Sequence, residues 1–279
     1  MMYNRIGSSC TRASEADELS QAVDADSFVE TLKDLALRRN LPSGELPDRM
    51  GLCCSKPHTS DAHFQRSHSS DLSTSSLSSN PRSSSPARPS TSVFQYRTAE
   101  LPEANVDGIC VGLTAEWFTN LHNSPRSRMT ALLPGSDGHD SAAERQQRFL
   151  DLNRFLRSEG TGSSQANVEA KTTIFREAGL HPSERDKVYR FDEPASFSRI
   201  MTKITADGSK YLLSLGFAEG DRHTIATSAS NGMTTLFDPN YGEFTVEPGQ
   251  MDRFFQSLTN RYANPNGLHL STITAQKMY

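Results

Sequence analysis

The sequence predicts an α+β fold in which a helical first part packs on an antiparallel sheet. Two observations carry this. Apolar residues recur at helical spacing between residues 110 and 204, and from Lys210 onward the period changes to two around an Asn231-Gly232 turn. Helices first and a strand meander afterwards argue against a doubly wound parallel sheet.

Taken in order, Cys110, Leu113, Trp117, Phe118 and Leu121 share one face of a helix opened by Gly108. Ser141 and Glu144 match a capping box for a second helix, whose apolar side carries Phe149, Leu152, Phe155 and Leu156. A third helix covers residues 165–178 and stops at Gly179. A fourth covers residues 194–204, with Asp192 or Glu193 near its start and Pro194 in its first turn. Residues 210–217, 222–229, 232–237 and 243–246 read as strands. Residues 251–262 form a last helix and residues 268–274 a closing strand.

Composition sets the domain limits. The 279 residues are 35% hydrophobic with a mean hydropathy of −0.58, low for a chain that packs along its whole length. Half of residues 67–92 are serine, and such a stretch cannot bury enough apolar surface to offset its ordering entropy. Residues 26–38 hold a marginal amphipathic helix on Phe28, Leu32, Leu35 and Leu37. The expected organisation is a leading segment 1–50, a Ser-rich linker 51–95 and a folded domain 96–279. The net charge of −4 disfavours a basic nucleic-acid binder. No run approaches the roughly 18 apolar residues of a membrane span, and the first residues lack the apolar core of a secretory signal. Four cysteines, two of them adjacent, read as reduced thiols.

Three weak chemical signals converge in the folded domain. Cys110 stands at a helix N-terminus, where unpaired N–H groups and the dipole favour a thiolate. Small Gly108 and Gly112 flank it and keep the sulfur approachable, and Asn105 lies just upstream. His223 begins a strand, and Asp238 ends the next one before Pro239. With the hairpin turning at Asn231-Gly232, paired positions sum to about 463, so His223 faces position 240, two residues beyond Asp238. Both side chains then stand on one face at one sheet end. Asp238 would orient the imidazole, and His223 would take the Cys110 proton and return it to a leaving amine.

The segments GICVGLTAEWF (108–118), RHTIA (222–226) and FDPNYGEF (237–244) resemble the YopT/AvrPphB-type cysteine proteases, in the plant-associated branch with AvrPphB and the rhizobial NopT proteins. The resemblance runs from about Leu101 to the C-terminus. It implies a papain-like fold, catalytic Cys110, His223 and Asp238, and Asn105 as an oxyanion donor beside the Cys110 N–H. It also implies type III secretion into a host cell and cleavage of host proteins there, with receptor-like cytoplasmic kinases as the suggested class. Neither metal nor cofactor is called for. Residues 125–140 align with nothing in the family pattern.

A second motif precedes the domain. Gly51-Leu52-Cys53-Cys54-Ser55 matches an N-myristoylation acceptor with two adjoining palmitoylation cysteines. Myristate needs a free glycine amine, and the family cuts itself before such a glycine. Asp48-Arg49-Met50 resembles its recognition tripeptide, so autocleavage is expected between Met50 and Gly51, followed by acylation of Gly51, Cys53 and Cys54. One myristoyl chain binds membranes only marginally, so the cysteines supply the second anchor that holds the product at the host plasma membrane. Two other functional classes fit part of this pattern: a Cys–His–Asp acyltransferase of transglutaminase type, which consumes an amine in place of water, and a lipid-anchored interaction protein with an inactive triad. The cut site before a glycine favours the protease.

Overall fold

Burial of the central strands on both faces decides the architecture, since helices must then cover each side of the sheet. The computed structural model describes residues 92–279, and the elements read in residues 1–91 lie outside them. After a short 3-10 turn (Val93–Tyr96), the chain forms β1 (Arg97–Ala99), α1 (Cys110–Thr119), α2 (Pro125–Thr130), α3 (Asp137–Ser158) and α4 (Ser163–Glu177). Then come β2 (Pro182–Arg190), α5 (Pro194–Ile204), β3 (Lys210–Phe217), β4 (Arg222–Ser230), β5 (Met233–Asp238), β6 (Gly242–Val246), α6 (Met251–Ala263) and β7 (Leu270–Met278). The seven strands make one antiparallel sheet in the order β1-β6-β5-β4-β3-β7-β2.

Leu213, Leu215, Ile225, Leu236, Phe244 and Ile273 meet Ile200, Ile204, Phe254, Phe255 and Leu258 of α5 and α6 in one buried core. On the other face Phe237 stacks on Trp117 of α1 at 5.4 Å, and Phe118 meets Phe175 of α4 edge-on. A sheet covered on both sides holds its central strands firmly.

The α+β expectation holds, and the β4–β5 hairpin has the expected register, with Ala226 opposite Phe237 and Ser228 opposite Thr235. Asn231 and Gly232 both adopt positive φ, as that two-residue turn requires. The second helix differs from its expectation. It starts at Asp137, capped by Ser136, whose hydroxyl accepts from the His139 N–H; Ser141 sits inside the helix and donates to Glu116 instead. Residues 182–190 form a strand that no periodicity announced, because β2 is an edge strand carrying Glu184, Arg185, Asp186 and Lys187.

Gly112 also has a different role from the one expected. A Cβ there would lie 1.8 Å from the Ala142 carbonyl oxygen, so the glycine lets α1 and α3 touch backbone to backbone; access to the sulfur is not its business. Gly112→Ala should therefore lower stability by about 1–3 kcal/mol, and more if the helices must part. Thermal denaturation measures this, and an unchanged melting temperature would contradict the contact.

Candidate active site

The site is assembled where the start of α1 meets the ends of β4 and β5. Thr114, one turn beyond Cys110 on the same helix face, donates from Oγ1 to the Thr224 carbonyl at 3.3 Å. That bond fixes the first turns of α1 against the residue next to His223. Residues 103–108 lead into the helix as a tight turn: Glu103 and Gly108 have positive φ, and the Gly108 N–H donates to the Asn105 carbonyl at 3.1 Å. His139 Nε2 bonds the Ala104 carbonyl at 3.0 Å and ties that turn to α3. Cys110, Asn105, His223 and Asp238 are all at most 2% exposed. Cys110 is disulfide-bonded in the structure, so the expectation of four reduced thiols does not hold for it; the chemistry below is that of the thiol that reduction releases.

His223 and Asp238 share a face, as the register requires. Their side chains meet at 2.9 Å, His223 Nε2 to Asp238 Oδ1, both buried. A carboxylate removed from water needs several donors. Asp238 Oδ1 also accepts from the Asn240 N–H at 2.9 Å, and Oδ2 accepts from the Tyr262 hydroxyl at 2.6 Å. With Nε2–H given to Asp238, the tautomer leaves Nδ1 as an acceptor, and Nδ1 is buried without a hydrogen-bond partner. A buried orphan of this kind is rare and calls for a chemical reason.

Asn105 Nδ2 donates to Asn240 Oδ1 at 2.5 Å, while Asn105 Oδ1 is buried without a partner. The helix N-terminus is less open than its position in the sequence implies. Gln146 of α3 turns its Oε1 onto the Val111 and Gly112 N–H groups at 3.0 and 3.4 Å, capping the first turn from another helix. Neither Gln146 nor Tyr262 carries a sequence signal beyond helical periodicity. Asn240 does, since the hairpin register sets position 240 opposite His223. Among the described residues no group of histidine, cysteine, aspartate and glutamate is arranged to hold a metal ion. The residues of the 48–54 motif lie outside the described part.

Burial first, and then the Asp238 carboxylate, push the Tyr262 hydroxyl well above its ordinary range; burial does the same at Tyr241. The unfolded chain ionises these phenols near pH 10 while the folded one keeps them protonated. Their contribution to stability is therefore complete below about pH 10 and is lost as pH rises further. Tyr262→Phe should be less stable than wild type at pH 7 by about 1.5–3 kcal/mol, the worth of a hydrogen bond to a charged group. It should also lose less stability between pH 10 and 11. Urea unfolding across that range tests this, and equal alkaline slopes would contradict it.

The comparisons with known proteins agree with this architecture. The model of the family described as Yersinia/Haemophilus virulence surface antigen, Peptidase_C58, matches residues 88–278. A protein of Bradyrhizobium diazoefficiens named as a YopT-like cysteine protease is 59% identical over 279 residues, 99% of this chain and 100% of the relative. A second, from Sinorhizobium fredii and named likewise, is 52% identical over 277 residues, again 99% of this chain and 100% of the relative. The crystal structure of the Pseudomonas avirulence protein AvrPphB superposes with a TM-score of 0.62 at 25% identity, covering 67% of this chain and 100% of that one. With the seven-stranded sheet, the helices on its two faces and that superposition, the fold is papain-like, and the chain belongs to the Peptidase_C58 family of YopT/AvrPphB-type cysteine proteases.

Proposed function

We propose that this chain is an active cysteine endopeptidase with Cys110, His223 and Asp238 as its triad. It cuts itself between Met50 and Gly51 and then acts on host proteins at a membrane. The observation that carries the reading is the buried His223–Asp238 bond, which leaves His223 Nδ1 as an unpartnered acceptor beside the helix that bears Cys110. The Cys110 thiol gives its proton to Nδ1 as sulfur attacks the scissile carbonyl carbon. The carbonyl oxygen becomes an oxyanion held by the Cys110 N–H and the Asn105 amide. Collapse breaks the C–N bond, and the imidazolium protonates the leaving amine. Water then attacks the thioester, His223 takes its proton, and the acid product leaves as the thiol is restored. Asp238 stays ionised throughout and holds the imidazole.

Self-cleavage and acylation form one sequence. The cut before Gly51 releases the amine that myristate requires, and Cys53 and Cys54 accept palmitate. The product carries two kinds of chain, enough for stable anchoring where myristate alone is marginal. Delivery by a type III system and action at the host plasma membrane complete the reading, with membrane-associated signalling kinases as the substrate class.

The reduced, purified full-length chain should shorten to a species beginning at Gly51. Cys110→Ser, His223→Ala and Asp238→Ala should stay near full length, and Asn105→Ala should be slowed by roughly the 2.7–4 kcal/mol that one oxyanion donor contributes. Intact mass reads all of these; loss of the same fragment from Cys110→Ser in a protease-free preparation would refute self-cleavage. Alanine at Asp48 and Arg49 should block processing while cleavage of an added peptide continues.

Localisation gives an independent check. In a plant cell the wild type should fractionate with the plasma membrane. Gly51→Ala should be cut yet remain soluble, and Cys53→Ser with Cys54→Ser should wash off readily. Stable membrane association of Cys110→Ser would contradict anchoring through self-cleavage.

A further inference from the structure

Asn240 touches both poles of the proposed site. Its backbone N–H donates to Asp238 Oδ1, and its side-chain oxygen accepts from Asn105 Nδ2. Among the described residues nothing partners the other end of the Asn105 amide, whose Oδ1 is buried and unbonded. One hydrogen bond therefore decides how that amide is turned.

The direction of this bond follows from the buried carboxylate. Asp238 takes the single proton of the Tyr262 hydroxyl at Oδ2. The Tyr262 oxygen is left as an acceptor; the Asn240 side chain interacts with it, and because Asn240 Oδ1 accepts from Asn105 Nδ2, its Nδ2 end is the one left for that oxygen. Turning the Asn240 amide over would set its carbonyl oxygen against a tyrosine oxygen whose proton is already given away. The Oδ1 end of Asn240 is thus held toward Asn105, which must present Nδ2. A primary amide nitrogen carries two N–H donors. One is spent on Asn240, and the second remains for a developing oxyanion.

We propose that Asn240 is a positioning residue for the oxyanion donor, orienting the Asn105 amide in a hydrogen-bond chain that runs from Asp238 through Tyr262 and Asn240 to Asn105. The proposal rests on the protease reading above and on Asn105 as oxyanion donor. It links the group that orients the base to the group that receives the charge, so one buried carboxylate sets the polarity of both. Asn240 itself makes no contact with the reacting atoms in this scheme. Its loss should weaken the transition state and leave substrate binding alone.

The test is a double-mutant cycle on the processed, reduced enzyme, using a peptide that spans residues 45–55 and, separately, an unfolded protein substrate. Asn240→Ala should lower kcat by about tenfold to a hundredfold with KM unchanged, less than the roughly 10²–10³ for deleting an oxyanion donor. In the Asn105→Ala background the same substitution should change kcat by less than about twofold, since two residues acting as one unit are not additive. Asn240→Asp sets an oxygen against the Tyr262 oxygen and a second carboxylate beside Asp238, so it should lose at least as much as Asn240→Ala. If Asn240→Ala does not fold, Asn240→Ser, too short to reach Asn105, takes its place in the cycle. Losses that multiply in the double variant, or a change confined to KM, would overturn the role of Asn240 and leave the protease reading standing. Undiminished cleavage by Cys110→Ser would remove the protease reading itself.

Discussion

Asp238 is a carboxylate with no exposure to water, and much of the domain's end is arranged around satisfying it. An ionised carboxyl in such a place is tolerated only when donors replace its hydration. Three do so here, each from a different part of the chain: His223 from β4, the Asn240 N–H from the turn after β5, and Tyr262 from the last full turn of α6. Each donor is also constrained in return. The imidazole is held in one tautomer and the tyrosine proton is committed. The Asn240 amide is then turned so that its oxygen meets Asn105.

A second buried carboxylate supports the same end from the opposite face of the sheet. Glu243 is fully buried and accepts a fork of two bonds from Arg128 at 2.7 and 2.8 Å, with the Trp117 Nε1–H as a third donor at 2.8 Å. Trp117 belongs to α1, so this network clamps the helix that begins with Cys110 onto β6, the neighbour of the strand that ends in Asp238. Bidentate arginine geometry is what makes a buried pair rigid. The two anions thus serve different purposes: Glu243 locks the helix to the sheet, and Asp238 orients His223, Asn240 and Tyr262. Residues 125–130, which carry none of the motifs read from the sequence but lie inside the stretch the family model matches, supply Arg128 to this clamp.

Legibility in the sequence followed the locality of the forces. The β4–β5 hairpin is readable because a two-residue Asn-Gly turn fixes register, and register fixes which side chains share a face, His223 and Asp238 among them. Helices with clear stops, such as those at Gly179 and from Pro194, were readable for the same reason. What escaped depends on distant partners. The α3 start at Asp137 was hidden because a better-looking capping pair lies inside the helix, and there Ser141 serves Glu116. Strand β2 was hidden because an edge strand rich in charge has no apolar alternation. Gln146 caps a helix other than its own, and the space that Gly112 needs is set by Ala142. No local pattern encodes either.

The central claim is that His223, held by Asp238, activates the sulfur of Cys110. The most direct measurement is the rate of Cys110 alkylation by iodoacetamide in the reduced protein as a function of pH, resolved by peptide mass so that Cys53 and Cys54, which stay on the processed chain, serve as internal controls. An ordinary thiol reacts through its thiolate and slows steeply below pH 8.5. The account predicts that Cys110 keeps reacting at pH 6 while Cys53 and Cys54 fall silent, and that His223→Ala makes Cys110 behave like them. A Cys110 profile that matches the other cysteines in the wild type, or that is unchanged by His223→Ala, would contradict it.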